Sequence, residues 1–163
     1  MKYITRFAPS PTGNPHVGNI RTALFDYLAA KSTGGKFYLR IEDTDRERFV
    51  PDAVKYIHEA LDWLGLKYDG EVVYQSERLP VYQKRAQELL NKGLAYRCYC
   101  SKERLEKLRR DQEVAGKPPI YDRHCLNLSK EEIEENEKRK IPYVIRFKIP
   151  EKVKTITWND KVR

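Results

Sequence analysis

The strongest constraint on the fold lies between Tyr3 and Asp45, where two strand-like segments flank one helical stripe. Tyr3-Ile4-Thr5-Arg6-Phe7 is a short β-branched and aromatic run, and Pro9, Pro11, Gly13 and Pro15 break it into a loop. Ile20, Ala23, Leu24, Tyr27 and Leu28 then recur at helical spacing and predict one buried stripe, which Gly34-Gly35 ends. Phe37-Tyr38-Leu39-Arg40-Ile41 is a second strand, closing in the acidic turn Glu42-Asp43-Thr44-Asp45. Strand, helix, strand in this order predicts a parallel βαβ unit with a right-handed crossover. Ligands of such sheets bind beyond the carboxyl ends of the strands, where the His16 loop and Glu42 both fall. A loop that delivers His16 to a helix start also suits a phosphate, because free N–H groups and a positive helix end converge there. Neither GxGxxG nor GxxxxGK followed by Ser or Thr occurs in it.

Further along, Pro51 suits a first helical turn, and Val54, Ile57, Leu61 and Leu64 line one face of a helix over residues 51–64 that Gly65 ends. A third helix is predicted over residues 77–91, with Ser76 as its cap and Gly93 as its stop. The character then changes. Tyr96-Arg97-Cys98-Tyr99-Cys100 alternates like a strand, a charged helical stretch covers residues 101–114, and Gly116-Lys117-Pro118-Pro119 breaks the chain. Ser129 and Glu132 have capping-box spacing, with Leu128 and Ile133 as the matching staple of a solvated surface helix. Residues 143–149 and 153–158 read as two strands of a hairpin. The expected organisation is α/β: residues 1–94 as half of a nucleotide-binding fold, and residues 95–163 as an α+β insertion incomplete at its C-terminus. Half a parallel sheet leaves an edge unpaired, so the chain reads as part of something larger.

Hydrophobic residues make up 40% of the 163, which excludes a disordered chain. No apolar run reaches the length of a membrane span, and no signal peptide opens the sequence. Three cysteines, an odd number, argue against a disulfide framework and for a reducing compartment, so the expected location is the cytoplasm. The net charge of +8 suits a polyanionic partner, although charge that only maintains solubility gives the same count.

Cys98 and Cys100 lie two apart, so in a strand their thiols share a face, and Cys125 can return to complete a tetrahedral zinc site. Three buried thiols without a metal are the simpler alternative. On ligand chemistry alone the fourth position falls to His124.

The string Arg6-Phe7-Ala8-Pro9-Ser10-Pro11-Thr12-Gly13-Asn14-Pro15-His16-Val17-Gly18-Asn19 resembles the "HIGH" signature of class I aminoacyl-tRNA synthetases, and taken whole it resembles the glutamyl-tRNA synthetases. Arg21-Thr22-Ala23-Leu24-Phe25, the run from Arg40 through Arg48, Tyr74-Gln75-Ser76-Glu77-Arg78 and Tyr96-Arg97-Cys98-Tyr99-Cys100 extend the likeness over nearly the whole chain. The resemblance implies the first half of a Rossmann-like, parallel-sheet catalytic domain, followed by an acceptor-binding connective insertion. It implies ATP with Mg2+ and L-glutamate as substrates, the acceptor end of tRNA(Glu) as partner, and a monomer. His16, Gly18 and Asn19 are then the expected catalytic residues beside the phosphates, with Pro9, Thr12, Gly13, His16 and Gly18 contacting ATP. Arg6, Ala8, Ser10 and Glu42 are the expected glutamate pocket: Arg6 offers a fork for a carboxylate and Glu42 a partner for the ammonium. An ion pair between Arg6 and Glu42 is the structural alternative. Some relatives share the spacing of Tyr121 to Cys125, which makes Cys98, Cys100, Tyr121 and Cys125 the implied metal set. Others place a histidine or acid where Asn127 stands, so Tyr121, His124 and water compete for the fourth position.

No Lys-x-Ser-Lys occurs, so the second signature of the class, which holds the ATP phosphates, is missing. An N-terminal piece with little activity of its own is the expectation. Two rivals accompany it. One is the related enzyme that glutamylates the queuosine base of tRNA(Asp), and the other is a non-catalytic RNA- or zinc-binding module.

Overall fold

The computed structural model describes residues 1–150 and 155–160. Two compact units emerge, one built mainly from Met1–Pro80 and the other from Val81–Trp158.

In the first unit β1 (Ile4–Phe7), α1 (Val17–Ser32) and β2 (Lys36–Ile41) form the expected parallel βαβ arrangement, with Ile4 opposite Lys36 and Phe7 opposite Leu39. Turning from α1 into β2 requires Gly35, since a Cβ there would sit 1.7 Å from the Tyr3 carbonyl oxygen that accepts the Lys36 N–H. A third parallel strand, β3 (Val73–Tyr74), joins the far side of β2. At two residues it is too short to alternate, and the sequence reading misses it. Phe37, Leu39 and Ile41 of β2 are fully buried and anchor a core with Phe7, Ala23, Ala30, Ile57, Leu61 and Leu66.

The stripe expected on α1 is only partly used. Ala23 and Ala30 are buried and Tyr27 packs edge-on against Phe37, but Leu24 is 41% exposed and Leu28 51%. The two alanines are the side chains short enough for close approach of helix to sheet, and three strands give that packing little width. On α2 (Ala53–Trp63), Ala53, Ile57 and Leu61 point inward while Leu64 stays 38% exposed. Gly65, at φ +66, closes a Schellman turn in which the Leu66 N–H reaches the Leu61 carbonyl, and this rotates Leu66 into the core in place of Leu64.

The second unit takes nearly all of α3 (Leu79–Asn91), although the composition changes only near Leu94. Ser76 does not cap this helix with its own hydroxyl; a 3-10 turn, Ser76–Arg78, precedes it. Next come β4 (Ala95–Cys98), α4 (Lys102–Val114) capped by Ser101, a 3-10 turn at His124–Asn127, and α5 (Lys130–Lys138). Ser129 and Glu132 form the expected capping box on α5. Last, β5 (Val144–Phe147) pairs antiparallel with β4, Cys98 opposite Val144. Of the expected second strand, Val153 and Lys154 lie outside the described residues, and the described residues 155–158 carry no strand. Pairing with β4 sets β5 beside the buried Ala95 and Cys98, whereas Ile156 and Trp158 remain more than 70% exposed.

Candidate active site and metal centre

The end of β1, the proline loop and the start of α1 enclose a cleft of about 620 Å³. Arg6, Ala8, Pro9, Ser10, Thr12, Gly13, His16 and Asn19 all line it. The loop is held from behind. Pro9 and Pro11 are buried, the Pro9 carbonyl accepts Glu42 N–H at 2.9 Å, and the Pro11 carbonyl accepts Val50 N–H at 3.0 Å.

His16 is the N-cap of α1 and plays the part usually taken by serine. Its Nδ1 accepts the Gly18 N–H at 3.0 Å, and Asn19 Oδ1 accepts the His16 N–H at 3.1 Å, completing a capping box. Because Nδ1 is committed as an acceptor, the neutral ring carries its proton on Nε2, which leaves one N–H donor on an exposed side chain at a positive helix end. Gly18 belongs to the same device: a Cβ there would lie 2.8 Å from His16 Cε1. The space the glycine leaves is taken by the imidazole edge.

Glu42 stands at the end of β2, half-buried, but is not in the cleft wall. Its carboxylate lies 3.3 Å from Arg40 Nε, so the strand-end ion pair is local and does not involve Arg6. Thr22 and Asp26 also line the cleft, one and two turns along α1 from Asn19. Burial raises the Asp26 carboxyl above the usual range. Sequence reasoning passed over both, yet Asn19, Thr22 and Asp26 lie at i, i+3 and i+7, a polar stripe legible beside the apolar one. The acidic turn satisfies part of its own charge, with Asp45 bound by the Arg48 side chain and N–H. Asp43 instead reaches Ser76, accepting its N–H at 2.8 Å and its hydroxyl at 2.6 Å. Burial alone would raise the Asp43 carboxyl; the Ser76 hydrogen bonds outweigh it and hold it below the usual carboxylate range.

In the second unit, Cys98, Cys100 and Cys125 bring their Sγ atoms within 4.8 Å of one another. Cys98 ends β4, Cys100 lies in the turn before α4, and Cys125 sits in the 3-10 turn after a left-handed Arg123. Tyr121 Oη lies 3.2 Å from Cys98 Sγ and 3.4 Å from Cys100 Sγ, and accepts the Cys125 N–H at 3.1 Å. His124 is not in the group. Gln112 of α4 steers the segment leading to Tyr121, bonding both the N–H and the carbonyl of Ile120. A tetrahedral zinc with Zn–S bonds of about 2.3 Å spaces its sulfurs about 3.8 Å apart. The Cys100 and Cys125 sulfurs stand 3.5 Å apart, so the donor set fits that ion in both chemistry and size. Burial would raise the Cys98 thiol, but hydrogen bonds from Tyr121 and Arg146 push it down to about 7. Burial and the neighbouring thiols push Cys100 up to about 11, and the same causes raise the Tyr121 phenol.

The family model for the catalytic domain of class I tRNA synthetases (E and Q) matches residues 2–163. A glutamate–tRNA ligase of Coprothermobacter proteolyticus is 50% identical over 98% of the chain, and one of Clostridium tetani is 54% identical over 93%. The chain spans about a third of their length, 34% and 33%. A crystal structure of a glutamate tRNA ligase from Elizabethkingia meningosepticum, in complex with its amino acid, superposes with a TM-score of 0.80 at 41% identity, covering 92% of this chain and 33% of that one.

Proposed function

The chain belongs to the family of class I tRNA synthetase (E and Q) catalytic domains, with their Rossmann-like α/β fold, and on that premise we propose that it forms the glutamate- and ATP-binding part of a glutamate–tRNA ligase. The observation that carries this reading is the His16 cap, which sets an imidazole and a helix N-terminus in the wall of a cleft that Arg6 and Ser10 share. The reaction joins the glutamate carboxylate to the α-phosphate of ATP, forming glutamyl-adenylate and releasing pyrophosphate, and then passes the glutamyl group to the 3′ end of tRNA(Glu). Charge gathers on phosphoryl oxygens as the carboxylate attacks, so His16 Nε2–H and the positive N-terminal end of α1 stabilise it by position. Pro9, Thr12 and Gly13 shape the wall against the nucleotide, which brings Mg2+ with it as part of the substrate. Arg6 takes a glutamate carboxylate bidentately, Ala8 and Ser10 supply hydrogen bonds, and Glu42 receives the ammonium at the end of β2.

In this reading residues 1–94 are the first half of the catalytic domain, and residues 95–163 approach the tRNA acceptor end. Cys98, Cys100, Tyr121 and Cys125 hold a structural zinc that pins the turns of this second part together, and the protein acts as a monomer in the cytoplasm. No helix among the described residues is long and apolar enough to cross a membrane. A second reading, glutamylation of the queuosine base of tRNA(Asp), has the approach of Tyr121 to the thiols in its favour. Named relatives at about half identity weigh for the ligase.

ATP–pyrophosphate exchange with glutamate separates them, measured on the protein with and without added tRNA. Exchange that requires tRNA(Glu), and falls about 10²–10³-fold in His16→Ala, is the expected result. Exchange independent of tRNA favours the queuosine enzyme. RNA binding without any exchange favours a non-catalytic module.

A further inference from the structure

We propose that Arg104 and Arg146 form an outer cationic shell around the cysteine cluster, and that its affinity for zinc depends on both guanidinium groups. The inference rests on the metal-centre reading above. Arg104, one turn into α4, places Nη1 3.5 Å from Cys100 Sγ, while its Nη2 lies 2.6 Å from Asp122 Oδ2. The carboxylate next to Tyr121 therefore holds the guanidinium against the thiol. Asp122 also accepts the His124 N–H at 3.2 Å, so the turn that carries Cys125 braces the same arginine. Arg146 comes from β5 and stacks its guanidinium 4.1 Å from the centre of the Tyr121 ring. Its Nε–H is buried with no hydrogen-bond partner of its own among the described residues, while the guanidinium lies within hydrogen-bonding reach of the Cys98 thiol.

Zinc on three thiolates leaves one net negative charge in a largely buried site, and that charge needs neutralising from outside the ligand set. Two cations arriving from two separate elements, α4 and β5, meet that need. Neither was legible from the cysteine spacing, because Arg146 is 21 residues beyond Cys125 in the chain and only the β4–β5 pairing brings it to the cluster.

The test is zinc affinity of the 163-residue chain, by competition with a chromophoric chelator, for wild type, R104Q and R146Q, with far-UV circular dichroism to verify folding. Each glutamine variant is expected to bind zinc about 10–100-fold more weakly. Co2+ in the same variants should keep the absorption bands of a tetrahedral thiolate site, since no ligand has been removed. Folded glutamine variants that bind zinc as tightly as wild type overturn the proposal, as does a Co2+ spectrum showing that a thiolate has left the metal. Should a glutamine variant fail to fold, the double variant R104K/R146K decides. Near-wild-type zinc affinity there supports a shell of charge, and a fall as large as 100-fold overturns it. A wild-type chain that takes up no zinc overturns the metal-centre reading itself, and this inference with it.

Discussion

At the scale of single residues, the cleft depends on an imidazole serving as a helix cap. Gly18→Ala separates stability from function here, because the new Cβ would meet His16 Cε1 at 2.8 Å and must displace the ring. Losing the cap costs about 1 kcal/mol. Alanine in place of glycine within a helix returns about 0.5–1 kcal/mol. The two nearly cancel, so the melting temperature of Gly18→Ala should stay within a few degrees of wild type. Glutamate-dependent pyrophosphate exchange should nevertheless fall towards the His16→Ala level, because Nε2 no longer points where charge develops. A variant that melts as expected and keeps full exchange would show that the cap has no part in placing His16 for chemistry.

Elements are tied together at one acidic side chain, and this gives the protein a defined sensitivity to acid. Asp43, at the end of β2, accepts two hydrogen bonds from Ser76 at the start of the turn before α3. Its carboxyl is held below the usual range in the fold, so the unfolded chain binds that proton more readily than the folded one. The stabilisation is therefore complete above the ordinary aspartate pKa of about 3.9 and disappears as pH falls through the lower folded value. Asp43→Ala should cost about 1–3 kcal/mol at pH 7, and the gap from wild type in urea unfolding should narrow as pH falls below the ordinary aspartate value. A gap that does not change with pH would mean that the side chain acts by packing alone. Where periodicity was strong, the elements were legible in the sequence: β1, α1, β2, α2 and the Ser129 capping box stand where the residues predict. What escaped was long-range. Nothing local in the sequence pairs Asp43 with Ser76, 33 residues later, and β5 looked like half of a local hairpin because its partner β4 lies about fifty residues earlier. The three thiols do come together, although Cys100 lies beyond the strand whose alternation suggested the grouping.

For the molecule as a whole, charge is divided as sharply as structure. Residues 1–80 hold eleven basic and eleven acidic side chains, so the entire net charge of +8 lies on residues 81–163, with twenty-one basic against thirteen acidic. The half with the His16 cleft is electrically neutral, so in the proposed reading an anionic amino acid and a polyphosphate would be held there through particular donors. The half with the cysteine cluster has the long-range attraction for a phosphate backbone. Lys107 and Arg110 on α4 are exposed and have no ion-pair partner among the described residues, whereas Arg109 is engaged by Glu113. If the second half meets the tRNA, reversing both free charges in Lys107→Glu/Arg110→Glu should weaken tRNA binding. The slope of log affinity against log salt should become shallower by about one for each phosphate that the variant no longer neutralises. Reversing Lys36 and Lys67 in the neutral half should leave that slope unchanged. Equal effects from both pairs would show that the charge excess serves solubility, and that the partner's path over the protein is not set by this asymmetry.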